Sequence, residues 1–409
     1  MRPEGPAFSH AGEAMSMFVT IVLDGVGIGA QADAADFGDD GSDTLGHVCA
    51  AARPDLPHLT RLGLGSIRPL AGVPPVNEPA ADYGRMREVS AGKDSTSGHW
   101  ELAGIMLDRP FPTYADGFPE ALVRSFVDAT GVAGVLGNEA ASGTDIIRRL
   151  GDEHVATGMP ILYTSADSVF QVAAHVNVVP LQGLYAICET ARERVLVGDH
   201  AVGRVIARPF SGASGQYGRI SEARKDFSLR PPIKPVQALL REAGVWTVSI
   251  GKVADLFAGV GFDDVHKTAS NGEGIRGTLD AMHGAAVSGG PTFIWANLVD
   301  FDQEFGHRND LYGFAGALEE FDRAVPELEG ALPRGSVMVL TADHGNDPAF
   351  PGTDHCREHV PLLVLHDESG ADVGLRSTFA DHAAAVAAYF DVDADLQGES
   401  FLPAWVTAA

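Results

Sequence analysis

The sequence predicts an α/β protein in which helices flank a mostly parallel sheet and a second domain of the α+β type is inserted. Apolar runs at residues 18–23 and 292–298 have the length and composition of buried strands. Amphipathic stretches alternate with such runs, which is typical of a parallel sheet. The alternation stops near residue 109 and resumes near residue 228, so we expect a separate domain between these points.

The domain boundaries follow changes in composition. Residues 1–17 lack an apolar segment and do not resemble a secretory signal, so they are predicted to be a disordered extension. Residues 18–108 and 228–409 form the predicted core. Residues 109–227 form the predicted inserted domain, because prolines punctuate its start and a Pro-Pro pair follows its end.

Composition and charge restrict the function classes. The chain has 409 residues and a formal net charge of −26 at pH 7, which argues against nucleic acid and anionic membranes as partners. No run approaches the roughly 18 apolar residues that a membrane span needs. The three cysteines lie far apart without CxxC spacing, which fits a reducing cytoplasm. We therefore expect a cytoplasmic enzyme that acts on small molecules, and the sequence implies no protein partner.

Three predicted core strands lead into a carboxylate, and three histidines follow close behind in the chain. Open parallel sheets bind their ligands at the carboxyl ends of the strands. Asp and His suit a borderline divalent metal ion, and six such groups are more than one ion requires. Each residue alone could be a turn former at a strand end, but their combination predicts a two-metal site. The candidate ligands are Asp24, Asp302, His307, Asp343, His344 and His355.

The glycines after Asp24 also match the pattern of a dinucleotide-binding turn. A Rossmann turn should open a helix at once, whereas the composition here is typical of a loop. We therefore interpret Asp24 as a strand-end carboxylate whose following glycines let the backbone pass close to a bound ion.

A hydroxyl-rich segment at residues 92–101 is the candidate source of a nucleophile. Lys93 and Asp94 precede three consecutive hydroxyl residues. A hydroxyl nucleophile needs a lowered pKa, which a bound metal supplies. The same run fits the N-cap of a helix that begins near His99. Both interpretations can hold, because a helix N-terminus also favours an anionic adduct.

Six ordered and correctly spaced blocks resemble the phosphopentomutases of the alkaline phosphatase superfamily, over nearly the whole chain from about residue 18. The resemblance implies an alkaline-phosphatase-like core with an inserted cap. The blocks are DGVGIGAQADAADFGDDGSDTLGH (24–47), GKDSTSGHWELAG (92–104), YTSADSVFQVAAH (163–175), GRVIARPF (203–210), NLVDFDQEFGHRND (297–310) and LTADHGNDPAFPGTDHCREHVPLL (340–363).

The resemblance implies a role for each candidate residue. It assigns Asp24, Asp343 and His344 to one Mn²⁺ ion, and Asp302, His307 and His355 to a second. Ser95 occupies the position of the family's phosphorylated residue. That residue is usually Thr in the family, so Thr96 remains an alternative nucleophile. The implied substrate contacts are Ser165, Asp167, Val169, Arg204, Ile206, Arg208 and, in the core, Lys252.

The implied reaction interconverts ribose 1-phosphate, or its 2-deoxy analogue, and the 5-phosphate. It passes through a phosphoserine enzyme and a 1,5-bisphosphate, with a sugar 1,6- or 1,5-bisphosphate as activator. The alternatives are a cofactor-independent phosphoglycerate mutase, a metal-dependent phosphomonoesterase and a metal-stabilised binding protein without turnover. The implied cap would hold the sugar and exclude water.

Overall fold

The computed structural model describes residues 16–165 and 168–406. The predicted N-terminal extension, apart from its last two residues, lies outside this part. The strands are β1 (Met17–Leu23), β2 (Asp82–Met86), β3 (Leu136–Ala140), β4 (Ile161–Thr164), β5 (Val169–His175), β6 (Arg204–Ser211), β7 (Gly218–Arg219), β8 (Lys225–Ser228), β9 (Trp246–Ile250), β10 (Asp264–His266), β11 (Thr292–Leu298), β12 (Val337–Thr341), β13 (Val360–Leu365) and β14 (Asp372–Arg376).

The α-helices are α1 (Thr44–Ala52), α2 (Pro57–Leu62), α3 (Leu64–Ile67), α4 (Ser95–Leu102), α5 (Glu120–Thr130), α6 (Gly143–Thr157), α7 (Leu181–Thr190), α8 (Val236–Glu242), α9 (Val253–Leu256), α10 (Asn271–Ser288), α11 (Leu311–Ala331) and α12 (Ala380–Tyr389). Within the described part of the chain, none of them is both long and apolar enough to cross a membrane.

The chain forms two compact units. One holds the chain up to Asp108, Pro231–Ala254 and the chain from Gly259 onward. The other holds Arg109–Arg230 and Asp255–Ala258.

The first unit is built on an eight-stranded sheet in the order β10-β9-β11-β1-β12-β13-β2-β14. The first five strands in this order, β10 to β12, run parallel to one another. β13 runs antiparallel to both of its neighbours. The predicted mostly parallel α/β sheet is therefore confirmed. β13 and β2 add an antiparallel part that the sequence pattern did not predict.

The centre of this sheet explains why the site residues meet. Every residue of β1 and β11 is buried, as expected for parallel strands covered on both faces. β1 pairs in register with β11 on one side and with β12 on the other. The carboxyl ends of the three strands therefore lie side by side, and the residues that follow them share one edge of the sheet.

The second unit contains a mixed six-stranded sheet in the order β3-β4-β5-β6-β7, with β8 also paired to β6. Phe170 and Val172 of β5 belong to an apolar cluster that includes residues of α5 and α7. Ala173 and Tyr163 belong to a second cluster that includes residues of α6. The alternation of β5 side chains between the two clusters places one on each face of the sheet.

Candidate metal centre

All six predicted ligands lie together beyond the carboxyl ends of β1, β11 and β12. Asp24 directly follows β1, and Asp343 with His344 follows β12. Asp302 lies in a single π-helical turn, Phe301–Phe305, just after β11. The described residues contain two groups whose ligand atoms all lie within 4.8 Å of one another. These are Asp302 with His307 and His355, and Asp24 with Asp302 and His344.

The first group is arranged around the carboxylate of Asp302. Its Oδ2 lies 3.3 Å from Nε2 of His307, and its Oδ1 lies 3.4 Å from Nε2 of His355. The Nδ1 of His307 lies 2.6 Å from the carbonyl oxygen of Thr353, which can only accept a hydrogen bond. Nδ1 therefore carries a proton, and in the neutral ring the lone pair lies on Nε2, which faces the carboxylate. An amide donor from Asn346 holds Asp302 Oδ1 at 2.7 Å.

The second group is arranged around Nε2 of His344. This nitrogen lies 3.5 Å from Oδ1 of Asp24 and, outside that group, 3.4 Å from Oδ2 of Asp343. Its Nδ1 faces the carbonyl of Gly345 at 3.1 Å, so the proton lies on that side of the ring. Asp343 is held in turn by the backbone N–H of Gly25, which donates to its Oδ1 at 3.1 Å.

The charges at this site fit divalent cations. Asp24, Asp302 and Asp343 are all buried, and one ammonium, that of Lys252, lies among them. Burial and the neighbouring Asp343 raise the pKa of Asp24 well above its ordinary value. Burial lowers the pKa of His344 to about 4, so its imidazole is neutral and offers a lone pair at pH 7. Buried carboxylates with neutral imidazoles are a donor set that suits Mn²⁺ or Zn²⁺.

The hydroxyl-rich segment begins a helix earlier than predicted. Helix α4 starts at Ser95 rather than near His99, so the start predicted from the sequence is wrong. The reason is that the carboxylate of Asp94 accepts from the backbone N–H groups of Thr96 and Ser97, which makes Asp94 the N-cap. The hydroxyl residues therefore form the first turn of the helix instead of preceding it.

The hydroxyl that faces the predicted ligands belongs to Ser95. Its Oγ lies 2.8 Å from Nζ of Lys252 and 3.1 Å from Nε2 of His344. Lys252 Nζ also lies 2.5 Å from Oδ2 of Asp24. Burial alone would lower the pKa of Lys252, but the three carboxylates outweigh it and raise that pKa, so the side chain is an ammonium at pH 7. Of the two candidate hydroxyls, the structure thus places that of Ser95 beside the candidate ligands.

Gly98 lets helix α4 lie directly against the strand end that carries Asp343. A Cβ atom at this position would lie 2.0 Å from the backbone carbonyl oxygen of Asp343. We expect Gly98→Ala to lower the free energy of unfolding by about 1–3 kcal/mol, the usual cost of overpacking, and to lower activity because Ser95 shifts with the helix. Thermal unfolding and initial rates would measure both effects.

A matched glycine provides the control for that change. Gly284 lies on the exposed side of α10, where a Cβ atom would meet no heavy atom within 4 Å outside its own helix backbone. Gly284→Ala should be neutral or stabilise by up to about 1 kcal/mol, since alanine is the better helix former. Equal stability of the two variants would contradict the contact between α4 and Asp343.

Arg357 is a structural support of the site that sequence reasoning missed. It lies two residues after a candidate ligand, and its buried guanidinium donates to the carbonyls of Glu88, Ser90 and Gly92. The guanidinium also pairs with the carboxylates of Asp33 and Glu88 at 3.0 Å. Arg357 therefore ties the segment that leads into α4 to the loop that carries the ligands. No signal in one sequence pairs an arginine with carbonyls about 270 residues away, so only the fold reveals this contact.

Glu358 supports the loop that follows β1 and was also missed. Its buried carboxylate accepts from the backbone N–H of Gly29 and from both the backbone N–H and the hydroxyl of Thr44. Burial raises the pKa of this carboxyl to about 7. These hydrogen bonds hold the start of helix α1 and the glycine-rich loop after β1 against the loop that carries His355.

Four predicted substrate residues of the second unit, Val169, Arg204, Ile206 and Arg208, share one face of its sheet. Val169 and Arg204 are register partners on β5 and β6, and Gln171 lies opposite Ile206. Alternate residues of a strand share a face, so Arg208 lies on this face as well. Its Nε donates to Oε1 of Gln171 at 3.1 Å. Gln171, which the sequence did not single out, thereby fixes the orientation of the Arg208 guanidinium.

The other predicted substrate residues lie in different places. Ser165 directly follows β4 and is half-buried, whereas Asp167 lies outside the described residues. Nη1 of Arg204 lies 3.7 Å from the carboxylate of Asp226 on β8. Lys252 belongs to the first unit and contacts Asp24 and Ser95 there.

Comparison with known proteins places the chain among the metalloenzymes, the class that the candidate ligands led us to expect. A family model described as the Metalloenzyme superfamily matches residues 16–394. The phosphopentomutase of Caldanaerobacter subterraneus subsp. tengcongensis is 51% identical over 386 residues, which cover 94% of this chain and 96% of the relative. That of Acetivibrio thermocellus is 51% identical over 95% of this chain and 99% of the relative. That of Anaeromyxobacter sp. is 52% identical over 94% and 97%.

The chain therefore belongs to the Metalloenzyme superfamily and, within it, to the phosphopentomutase family, and it is an isomerase. The family expected from the sequence blocks is confirmed. Among solved structures, a Leishmania mexicana phosphoglycerate mutase matches 96% of this chain and 98% of its own, at 13% identity and a TM-score of 0.47. That likeness is too distant to carry an argument about activity.

Proposed function

We propose that this enzyme interconverts ribose 1-phosphate, or 2-deoxyribose 1-phosphate, and the corresponding 5-phosphate through a phosphoserine at Ser95. The observation that carries the proposal is the position of the Ser95 hydroxyl. It lies between the ammonium of Lys252 and the neutral imidazole of His344, beside three buried carboxylates. The names of the relatives, phosphopentomutases at about half identity, support the pentose phosphate as substrate.

Two divalent ions, Mn²⁺ in this proposal, would be held by the six ligands. Asp24, Asp343 and His344 would hold one ion, and Asp302, His307 and His355 the other. When bound, such ions lower the pKa of a hydroxyl nucleophile and offset the charge of a phosphoryl group. The surplus of carboxylates over ammonium groups at the site is the physical reason why cations belong there.

Transfer begins on the phosphorylated enzyme, which a sugar 1,6- or 1,5-bisphosphate activator primes. A hydroxyl of the sugar monophosphate attacks the phosphorus, the bond from phosphorus to Ser95 Oγ breaks, and a 1,5-bisphosphate forms. The bisphosphate reorients, and Ser95 Oγ takes the other phosphoryl group as the bond to its sugar oxygen breaks. The hydroxyl proton lost in the first step is regained by the released sugar oxygen in the second.

The residues around Ser95 favour this exchange. Nζ of Lys252, at 2.8 Å, can donate to Oγ and stabilise it as an alkoxide when it leaves phosphorus. Ser95 is the first residue of α4, and the positive end of the helix dipole favours a phosphate there. Catalysis then consists largely of positioning and charge stabilisation, as is general for phosphoryl transfer.

Arg208 supplies positive charge for the sugar phosphate in this proposal. We expect Arg208→Ala to raise the KM for ribose 1-phosphate by about 10- to 100-fold with a smaller change in kcat, since a charge-assisted hydrogen bond contributes about 1.5–3 kcal/mol. Steady-state kinetics at saturating Mn²⁺ would measure this. Arg148→Ala is the matched control, because Arg148 is exposed on α6 of the same unit and pairs with Asp145. A similar KM in both variants would contradict the role of Arg208.

The proposed reaction is tested by following two products in one tube. The Mn²⁺-loaded protein is incubated with ribose 1-phosphate and a trace of glucose 1,6-bisphosphate, and both ribose 5-phosphate and free phosphate are measured. Formation of ribose 5-phosphate with little free phosphate is the expected result. Free phosphate without ribose 5-phosphate would show a phosphomonoesterase. In a separate incubation, turnover of a phosphoglycerate but not of the pentose would show a cofactor-independent phosphoglycerate mutase.

A further inference from the structure

His99 is a buried imidazole between the proposed nucleophile and a proposed metal ligand. It lies one helical turn after Ser95 on α4, and its side chain has no exposed surface. Nδ1 lies 2.9 Å from the carbonyl oxygen of Ser95 and 3.1 Å from Oδ2 of Asp343. No role for His99 follows from the family blocks or from the set of six ligands.

The partners of the ring determine which nitrogen carries the proton. Both groups near Nδ1, the carbonyl of Ser95 and the carboxylate of Asp343, are acceptors. Nδ1 therefore carries a hydrogen, donates it to the carbonyl of Ser95 and lies 3.1 Å from Oδ2 of Asp343. On the other side of the ring, the amide nitrogen of Asn297 lies 3.4 Å from Nε2, which can accept from it. His99 thus donates a hydrogen bond to the segment that carries the proposed nucleophile, and the same N–H group lies in electrostatic contact with the carboxylate of Asp343.

The ring has little freedom to move. It stacks on Trp295 of β11, with ring centroids 5.8 Å apart and an angle of 20° between the planes. Gly98, the preceding residue, brings the backbone of α4 against the carbonyl of Asp343. The Nδ1–H group of the fixed His99 ring therefore lies beside Asp343, at the point where helix α4 contacts the end of β12.

We propose that His99 is a positioning residue that fixes the Asp343 carboxylate relative to Ser95 and thereby sets the affinity of this half of the site for its divalent ion. The proposal rests on the proposed function for the assignment of Asp343 as a ligand. The physical basis is that a carboxylate held beside a fixed N–H group, 3.1 Å from its Oδ2, loses less freedom when it binds a cation. Removing such a supporting donor typically lowers metal affinity by about 10- to 100-fold.

The test compares substitutions that keep or remove the donor at the Nδ1 position. The side-chain amide of asparagine places an N–H close to where histidine Nδ1 lies, whereas leucine and glutamine do not. In metal-stripped full-length protein titrated with Mn²⁺ by calorimetry, His99→Leu should weaken one of the two sites by about 10- to 100-fold. His99→Asn should keep that site within about fivefold of the wild-type affinity. In kinetics, His99→Leu should lower kcat with little change in KM for the sugar phosphate.

Trp295→Phe is the control for packing alone. It removes part of the stacked surface but leaves the His99 donor and its acceptors in place. We expect this variant to lower the melting temperature while both Mn²⁺ affinities stay unchanged. If His99→Leu does not fold, the comparison of His99→Gln with His99→Asn decides the question in the same way.

Two wild-type Mn²⁺ affinities in His99→Leu, with only a lower melting temperature, would overturn the proposal and leave His99 as a packing residue. Equal weakening in His99→Leu and His99→Asn would also overturn it, because the donor would then be irrelevant. Failure of the proposed function gives a different result, in which the wild type binds Mn²⁺ but forms no ribose 5-phosphate. The metal affinities of the variants still decide the role of His99 in that case.

Discussion

Ser95→Ala should lower the rate of ribose 5-phosphate formation by on the order of 10⁴-fold or more, the scale on which loss of a covalent nucleophile acts. The reason is that, in the proposed reaction, this hydroxyl carries the phosphoryl group between the two sugar positions. Initial rates at saturating Mn²⁺ and activator would measure the loss. Ser95→Thr should keep activity, because the resemblance places a threonine at this position in most of the family.

Thr96→Val is the matched control for the nucleophile. Valine keeps the branched shape of this buried residue and removes only its hydroxyl. We expect activity close to that of the wild type, because the hydroxyl beside Lys252 and His344 is that of Ser95. The opposite pattern, with an active Ser95→Ala and an inactive Thr96→Val, would move the nucleophile to Thr96.

Asp302→Asn should weaken metal binding at the site, most of all for the ion that Asp302 is proposed to hold. Asp302 belongs to both groups of convergent ligand atoms, and its two oxygens face different histidines. An amide at this position loses a negative charge and turns a donor toward one of the ions. We expect the bound Mn²⁺ to fall from about two ions per chain to one or fewer after gel filtration. Elemental analysis against protein concentration would measure this, and activity should fall with it.

Glu304→Gln is the control for charge near the metal site. Glu304 lies in the same π-helical turn as Asp302 but pairs with Arg308 instead of facing the ligands. This variant should keep both ions and nearly full activity. A full complement of two ions in Asp302→Asn would refute the ligand role of Asp302.

Residue type and position predicted the sheet and the grouping of the candidate ligands at its edge, because both depend on local patterns. The runs that became β1, β11 and β12 are mostly apolar along their whole length, and such runs occur where a strand is covered on both faces. Because these strands are parallel neighbours, their carboxyl ends lie at the same edge of the sheet. β2 escaped prediction because its sequence, DYGRM, is short, polar and alternately buried.

The remaining features depend on contacts between distant parts of the chain. The start of α4 was misplaced because the pattern does not show that Asp94, rather than a later hydroxyl residue, satisfies the first N–H groups. Arg357 and Gln171 were missed because their partners are carbonyls and side chains that only the fold brings near. The roles of the residues in the second unit stay predictions.

The most direct test of the account is to locate the phosphate on the enzyme. The Mn²⁺-loaded protein is incubated briefly with glucose 1,6-bisphosphate, quenched in acid and digested, and the peptide that contains residues 92–101 is sequenced by mass spectrometry. The account predicts one phosphate on Ser95, which disappears when excess ribose 5-phosphate is added before quenching and is absent in Ser95→Ala. Phosphate on Thr96, or an enzyme that turns over with no phosphate on this peptide, would contradict it.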